Sequence, residues 1–198
     1  MNLPNKITVT RIILSVLILL AMVFPYYNIG YTFPKYLVAG KVVLDLKYII
    51  CGILFIIASV SDCVDGRIAR KYNMVTDFGK VMDAIADKIL VNGVLIIMAV
   101  DGVLPVIVPV IIITRDTAVD CIKMVAGSKG KVVAASIWGK IKTVCMMTGV
   151  SLLFFNNLPF ELLNVSLGYY LVIIATLLSI YSGIQYYLAN RQFITSKM

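Results

Sequence analysis

The sequence predicts an all-α integral membrane protein: six transmembrane helices preceded by a short N-terminal interfacial helix, in one domain spanning 1–198. Three observations carry that reading. Of 198 residues, 61% are hydrophobic and the mean hydropathy is +0.97, above the roughly half-apolar composition of soluble globular chains. Six segments, at about 11–30, 46–66, 79–100, 103–125, 137–156 and 165–188, come near the roughly 20 residues needed to cross a hydrocarbon core. Basic residues also segregate by topology. With the N-terminus in the cytoplasm, Lys6, Arg11, the 67–88 and 115–142 regions, Arg191 and Lys197 bring 15 of the 18 to the cytoplasmic side. The turns near Asp101 and Glu161 carry no base, and both termini are expected in the cytoplasm.

Residues 1–11, MNLPNKITVTR, mix polar with apolar and place Pro4 near the start of the interfacial helix. The first span follows and is read as retained, because no small-x-small cleavage site comes after Phe24, Pro25 and Tyr26. Residues 25–47 are aromatic and basic, with Tyr26, Tyr27, Tyr31, Phe33 and Tyr36 suited to a membrane interface. The last two spans carry Tyr169, Tyr170, Tyr181, Tyr186 and Tyr187, read as packing, interface anchoring and a dimer surface. Trp138 occupies an interfacial belt position. Cys51, Cys63, Cys121 and Cys145 form no C-x-x-C pair and are read as small apolar residues.

The chemistry concentrates in residues 61–88. Asp62, Asp65, Asp83 and Asp87 stand in or beside segments otherwise as apolar as a bilayer interior, where carboxylates are expensive. Their spacing is D-x-x-D-G-x-x-A-R, eight residues, then G-x-x-x-D-x-x-x-D. In helices, residues three or four apart share a face. An antiparallel hairpin with Asp77 as N-cap then lets the four carboxylates face one another at the cytoplasmic edge. Unpaired, they would repel and take up protons unless cations sat between them. A chain with no histidine and no clustered cysteine offers hard oxygen ligands, which fit a pair of Mg²⁺ or Mn²⁺ ions, a known clamp for displacement at phosphorus. Gly66, Ala69 and Gly79 keep that face open and Arg70 adds a phosphate-binding fork. The structural alternative makes the glycines packing residues and pairs the aspartates with Arg67, Lys80 and Lys88.

This pattern resembles the signature of the CDP-alcohol phosphotransferases, integral membrane enzymes that transfer a phosphatidyl or similar group from a CDP-linked donor to an alcohol and release CMP. Asp62, Asp65, Gly66, Ala69, Arg70, Gly79, Asp83 and Asp87 match every fixed position of it. The resemblance implies that Asp87 is the general base. It also implies metals on Asp62, Asp65 and Asp83 with Asp87 adjacent, a CDP-lipid site at Asp62, Asp65, Gly66, Ala69, Arg70 and Gly79, and a homodimer. Asn5, Thr8 and Arg11 resemble the N-x-x-T-x-x-R stretch of the phosphatidylglycerophosphate synthases of this family, although Arg11 also reads simply as a positive-inside anchor.

Two further segments resemble that branch. Arg115 lies in an aliphatic span and either faces a phosphate or pairs with Asp116 or Asp120. Ser136 to Thr143, S-x-x-G-K-x-K-T, brings Lys140, Lys142 and Thr143 toward an acceptor phosphate, or places lysines beside anionic lipid. Together they imply phospholipid biosynthesis from CDP-diacylglycerol and sn-glycerol 3-phosphate, giving phosphatidylglycerophosphate and CMP. Inositol phosphate or serine as acceptor is the alternative. A cation transporter would spread carboxylates through the bilayer depth, whereas these form one cluster. No G-x-x-x-x-G-K-[ST] spacing occurs, so a phosphate loop is excluded. The net charge of +8 is dispersed by topology and does not read as a nucleic-acid surface.

Overall fold

The computed structural model describes residues 3–71, 77–128 and 136–195, and within them all side chains except those of 3–6, 63–71, 77, 78, 80, 81 and 192–195. Six helices dominate: α1 (Leu3–Val23), α2 (Leu46–Lys71), α3 (Asp77–Val100), α4 (Ile107–Ser128), α5 (Ile137–Phe154) and α6 (Leu167–Thr195). Five of them lie close to the segments expected from hydropathy. The first differs. The interfacial segment and the first span form one continuous helix that stops at Val23, because no glycine or proline interrupts residues 5–24 and Pro25 blocks extension.

A hairpin between α1 and α2 departs from the all-helical expectation. Strands β1 (Lys35–Val38) and β2 (Val42–Asp45) pair antiparallel, Lys35 opposite Asp45 and Val38 opposite Val42. Ala39 and Gly40 turn the chain with φ of 51° and 68°, the positive values of a tight hairpin turn. The short Y-L-V and V-V-L runs on either side supply the β-branched and aromatic residues that strands favour.

α1 packs against both α2 and α3, and α6 against both α4 and α5, while smaller contacts of α2 with α5 and α3 with α4 join the two groups. α2 runs opposite to both α1 and α3. Lys47 Nζ, at the start of α2, donates to the Met22 carbonyl near the end of α1 at 3.3 Å. Tyr48 donates its hydroxyl to Asp101, just beyond the end of α3. The shared core includes Ile18, Phe55, Leu90, Val94, Ile112, Val150, Phe154 and Val172. α5 and α6 cross closely: a Cβ on Gly149 would lie 2.9 Å from the Gly168 carbonyl oxygen, a small-residue contact of the kind that brings membrane helices together.

Polarity is inverted relative to a soluble bundle. On α1 the inward positions are Thr8, Arg11, Ser15, Ile18 and Met22, while Ile13, Leu17, Leu20 and Val23 face out. On α6, Thr176, Ser179 and Ser182 are buried and Leu177, Ile180 and Ile184 are exposed. An apolar exterior of this extent fits contact with lipid tails and the protein is membrane-associated. Among the described residues, two helices are long and apolar enough to span a membrane by length and composition, over Ile137–Phe154 and Leu167–Arg191; Ile7–Val23 is a shorter apolar helix. α3 and α4 carry Asp83, Asp87, Lys88, Arg115, Asp116 and Asp120 within their lengths, which lowers their hydropathy.

Candidate active site

Two polar clusters occupy one end of the bundle. The first forms where α1 meets α2 and α3. Arg11 lies about 12 Å along α1, Asp62 about 13 Å back from the end of α2, and Asp83 about 9 Å into α3, at roughly 1.5 Å per residue. Opposite helix directions therefore bring the three to a common level. The Arg11 guanidinium forms ion pairs with Asp62 through Nη1 and with Asp83 through Nη2, and Nη2 also donates to the Asp83 carbonyl at 3.3 Å. Its side chain is 3% exposed, against 35% for Asp62 and 46% for Asp83. The positive charge is thus buried while both carboxylates remain open on one side.

The second cluster lines a cavity of about 450 Å³ between α3, α4, α5 and α6. Asp87 lies one helical turn beyond Asp83 and borders this cavity with Lys88, Arg115, Asp116, Asp120, Lys123, Lys140, Lys142 and Thr143. Five cationic side chains meet three carboxylates, an excess of positive charge suited to an anionic group. The lysines and Thr143 are delivered by the first turns of α5, which Ser136 caps by accepting from Gly139 N–H at 3.0 Å. Tyr186 closes one side and its hydroxyl accepts from Ser136 N–H at 3.1 Å.

Asp116 organises the deep wall. Lys142 Nζ donates to both of its oxygens, at 2.8 and 2.9 Å, and Arg115 Nη1 donates to Oδ1 at 2.8 Å. Arg115 also reaches α6, giving Nη2 to Ser182 Oγ at 2.6 Å and Nε to the Ser179 carbonyl at 3.0 Å. Gly183 makes room for it, since a Cβ there would stand 2.9 Å from Arg115 Cγ. At the rim, Lys88 pairs with Asp120, and Lys123 lies 5.7 Å from the centre of the Tyr186 ring.

The residues singled out from sequence divide as follows. Arg115, Lys140, Lys142 and Thr143 share one cavity, and Asp87 joins them. Of the alternatives open for Arg115, the pairing with Asp116 is present beside the cavity, and Asp120 pairs with Lys88. Asp62 and Asp83 meet at Arg11, not at each other. Gly79 lies in the first turn of α3. The side chains of Asp65, Gly66, Ala69 and Arg70, the Asp77 cap and the connection 72–76 lie outside the described residues, as do Lys129 and Lys131. Among the described residues no group of three or more His, Cys, Asp or Glu side chains is gathered to hold a metal ion.

Sequence reasoning misses Arg11, Asp116 and Gly183 as parts of the site. For Arg11 a signal exists: Thr8, Arg11 and Ser15 continue the helical stripe of Ile18 and Met22, so the arginine belongs to the inward face. No comparable signal marks Gly183, whose role depends on which α4 residue lies over it.

The family model for CDP-alcohol phosphatidyltransferase matches residues 1–181. The chain is 40% identical over 189 residues to the CDP-diacylglycerol–glycerol-3-phosphate 3-phosphatidyltransferase of Bacillus subtilis, covering 96% of this chain and 95% of that one. The protein of the same name from Rickettsia bellii is 31% identical over 193 residues, 97% of each chain. That from Mycoplasma pneumoniae is 34% identical over 151 residues, 75% of this chain and 66% of its own. With a matched region that takes in the charged residues of both polar clusters, helices α1 to α5 and the first half of α6, the chain belongs to the CDP-alcohol phosphatidyltransferase family.

Proposed function

We propose that this protein transfers the phosphatidyl group of CDP-diacylglycerol to sn-glycerol 3-phosphate, producing phosphatidylglycerophosphate and CMP. The observation that carries the reading is the cavity in which Arg115, Lys140, Lys142 and Thr143 lie together beside Asp87. The acceptor phosphate binds against the cations, which leaves its hydroxyl end directed toward the carboxylate. The names of the full-length relatives point to the same donor and acceptor.

In the reaction, an acceptor hydroxyl oxygen forms a bond to the phosphatidyl phosphorus, the bond from that phosphorus to the CMP oxygen breaks, and CMP leaves with the electron pair. Asp87 takes the hydroxyl proton. Arg115 and Lys142, fixed by Asp116, hold the acceptor phosphate in place, and orientation of this kind supplies much of the rate. Lys140 is exposed at the cavity edge and Thr143 lies on the same face of α5, so both suit the outer side of that phosphate.

Asp62 and Asp83 are hard oxygen donors already directed at one buried positive group, and in that respect they fit divalent cations. Asp62, Asp65 and Asp83, with Asp87 adjacent, would hold Mg²⁺ or Mn²⁺, which when bound would neutralise the donor diphosphate. Gly66, Ala69, Arg70 and Gly79 would shape the CDP site. All six helices cross the membrane in this reading, with both termini and the two polar clusters on the cytoplasmic side, where lysine and arginine are concentrated. The proposed assembly is a homodimer.

The test is CMP release by purified protein in detergent with CDP-diacylglycerol and Mg²⁺, supplying glycerol 3-phosphate, inositol phosphate or serine in turn, beside Asp87→Asn. Release that requires glycerol 3-phosphate and vanishes in the variant supports the assignment. Release with another alcohol alone rejects the acceptor, and no release with any of them rejects the enzyme reading.

A further inference from the structure

Arg11 has a place in the molecule that the reaction described above does not use. An arginine 3% exposed does not serve as an anchor for lipid headgroups or solvent. It enters from α1 with Thr8 and Ser15 on the same buried face, and its two terminal nitrogens go to carboxylates on two different helices. α1 packs on both α2 and α3. The guanidinium is therefore the positive charge across which Asp62 and Asp83 are held together.

We infer that Arg11 is a resident counter-ion that exchanges with divalent cations: it holds Asp62 and Asp83 in the cation-free protein and yields at least one carboxylate when a cation binds. The inference rests on the metal reading given above. A carboxylate oxygen engaged by a guanidinium is sterically blocked to a small dication, and two positive groups at one oxygen repel each other. The stronger local field of a divalent ion favours exchange. The arrangement also has a purpose, because two partly exposed carboxylates on α2 and α3 with no cation between them would otherwise repel across the contacts that α1 makes with both helices. Arginine suits the position better than lysine, since its planar fork reaches two acceptors at once.

An exchanging counter-ion and a fixed structural ion pair differ in their linkage to cation binding. Wild type, Arg11→Met and Arg11→Lys are compared in detergent by thermal unfolding in EDTA and in saturating Mn²⁺, with Mn²⁺ affinity read by electron paramagnetic resonance. The methionine variant should melt well below wild type in EDTA, recover most of that deficit in Mn²⁺, and bind Mn²⁺ about tenfold more tightly because its competitor is gone. The lysine variant, with one compact charge, should fall between the two, and it decides the matter if the methionine variant does not fold. A deficit equal in EDTA and Mn²⁺ together with unchanged Mn²⁺ affinity would overturn the exchange and leave Arg11 a fixed pair. Absence of Mn²⁺ binding by wild type has a different signature and overturns the metal reading itself, and the exchange with it.

Discussion

Replacing Asp116 with Asn tests how the deep wall of the cavity is held. The change preserves shape and one acceptor oxygen but removes the only carboxylate that Lys142 and Arg115 both contact among the described residues. Lys142 is 10% exposed and Arg115 14%, so two cations are left adjacent and largely desolvated. Breaking a buried pair from one side costs about 3–5 kcal/mol. Asp116 is 20% exposed and borders the cavity, so water offsets part of this and the loss should be near the lower figure, about 3 kcal/mol. For a chain of this length that corresponds to a fall of roughly 6–12 °C in Tm. Lys142→Met should also destabilise. The double variant should lose less than the sum of the two by at least about 1 kcal/mol, because it removes the stranded charge along with its partner. Thermal unfolding in mild detergent, followed by circular dichroism, reads all three. Strict additivity, or a shift of less than about 2 °C for Asp116→Asn, would refute the claim that Asp116 is the shared counter-ion.

Three other outcomes follow from the same geometry. Arg115→Ala should raise the KM for glycerol 3-phosphate about ten- to a hundredfold, the range expected for losing a charge-assisted hydrogen bond, with little change for CDP-diacylglycerol; equal effects on both substrates would remove Arg115 from the acceptor site. Gly183→Ala places a methyl group 2.9 Å from Arg115 Cγ and should displace the guanidinium from Asp116 and Ser182. Steady-state kinetics should then show the Arg115→Ala pattern at a smaller, several-fold size, and an unchanged KM would show that Arg115 adjusts freely. Lys88→Met breaks a pair whose members are 38% and 36% exposed, so it should cost less than about 1 kcal/mol in an unfolding experiment. A larger loss would mean that the rim pair braces α3 against α4.

Much of this site is legible in the amino-acid sequence. The 3- and 4-residue spacings of Asp62, Asp65, Asp83 and Asp87 need only helical geometry to share faces, and charges in aliphatic segments are rare enough to stand out; the structure brings Asp62 and Asp83 to Arg11 and places Asp87 at the adjoining cavity. The S-x-x-G-K-x-K-T stretch is likewise legible, because its cap and its two lysines lie within two turns of α5. β1 and β2 are not, since four-residue strands give too few alternations to compete with a cluster of tyrosines. Arg11 reads as an anchor because a positive residue ahead of an apolar run is what membrane topology ordinarily requires.

Local sequence is enough to specify the six helices, the end of the bundle where the charges gather, and the residues that lie within a turn or two of one another. These follow from short-range periodicity and from the cost of placing charge in an apolar medium, neither of which depends on distant parts of the chain. The partners emerge only in three dimensions: Arg11 with Asp83 across 72 positions, Lys142 with Asp116 across 26, and Arg115 with Ser182 across 67. Such pairings depend on which helices become neighbours and how each is rotated about its axis. That choice is made by packing of the whole bundle, where Gly149 meets Gly168 and Gly183 lies beneath Arg115.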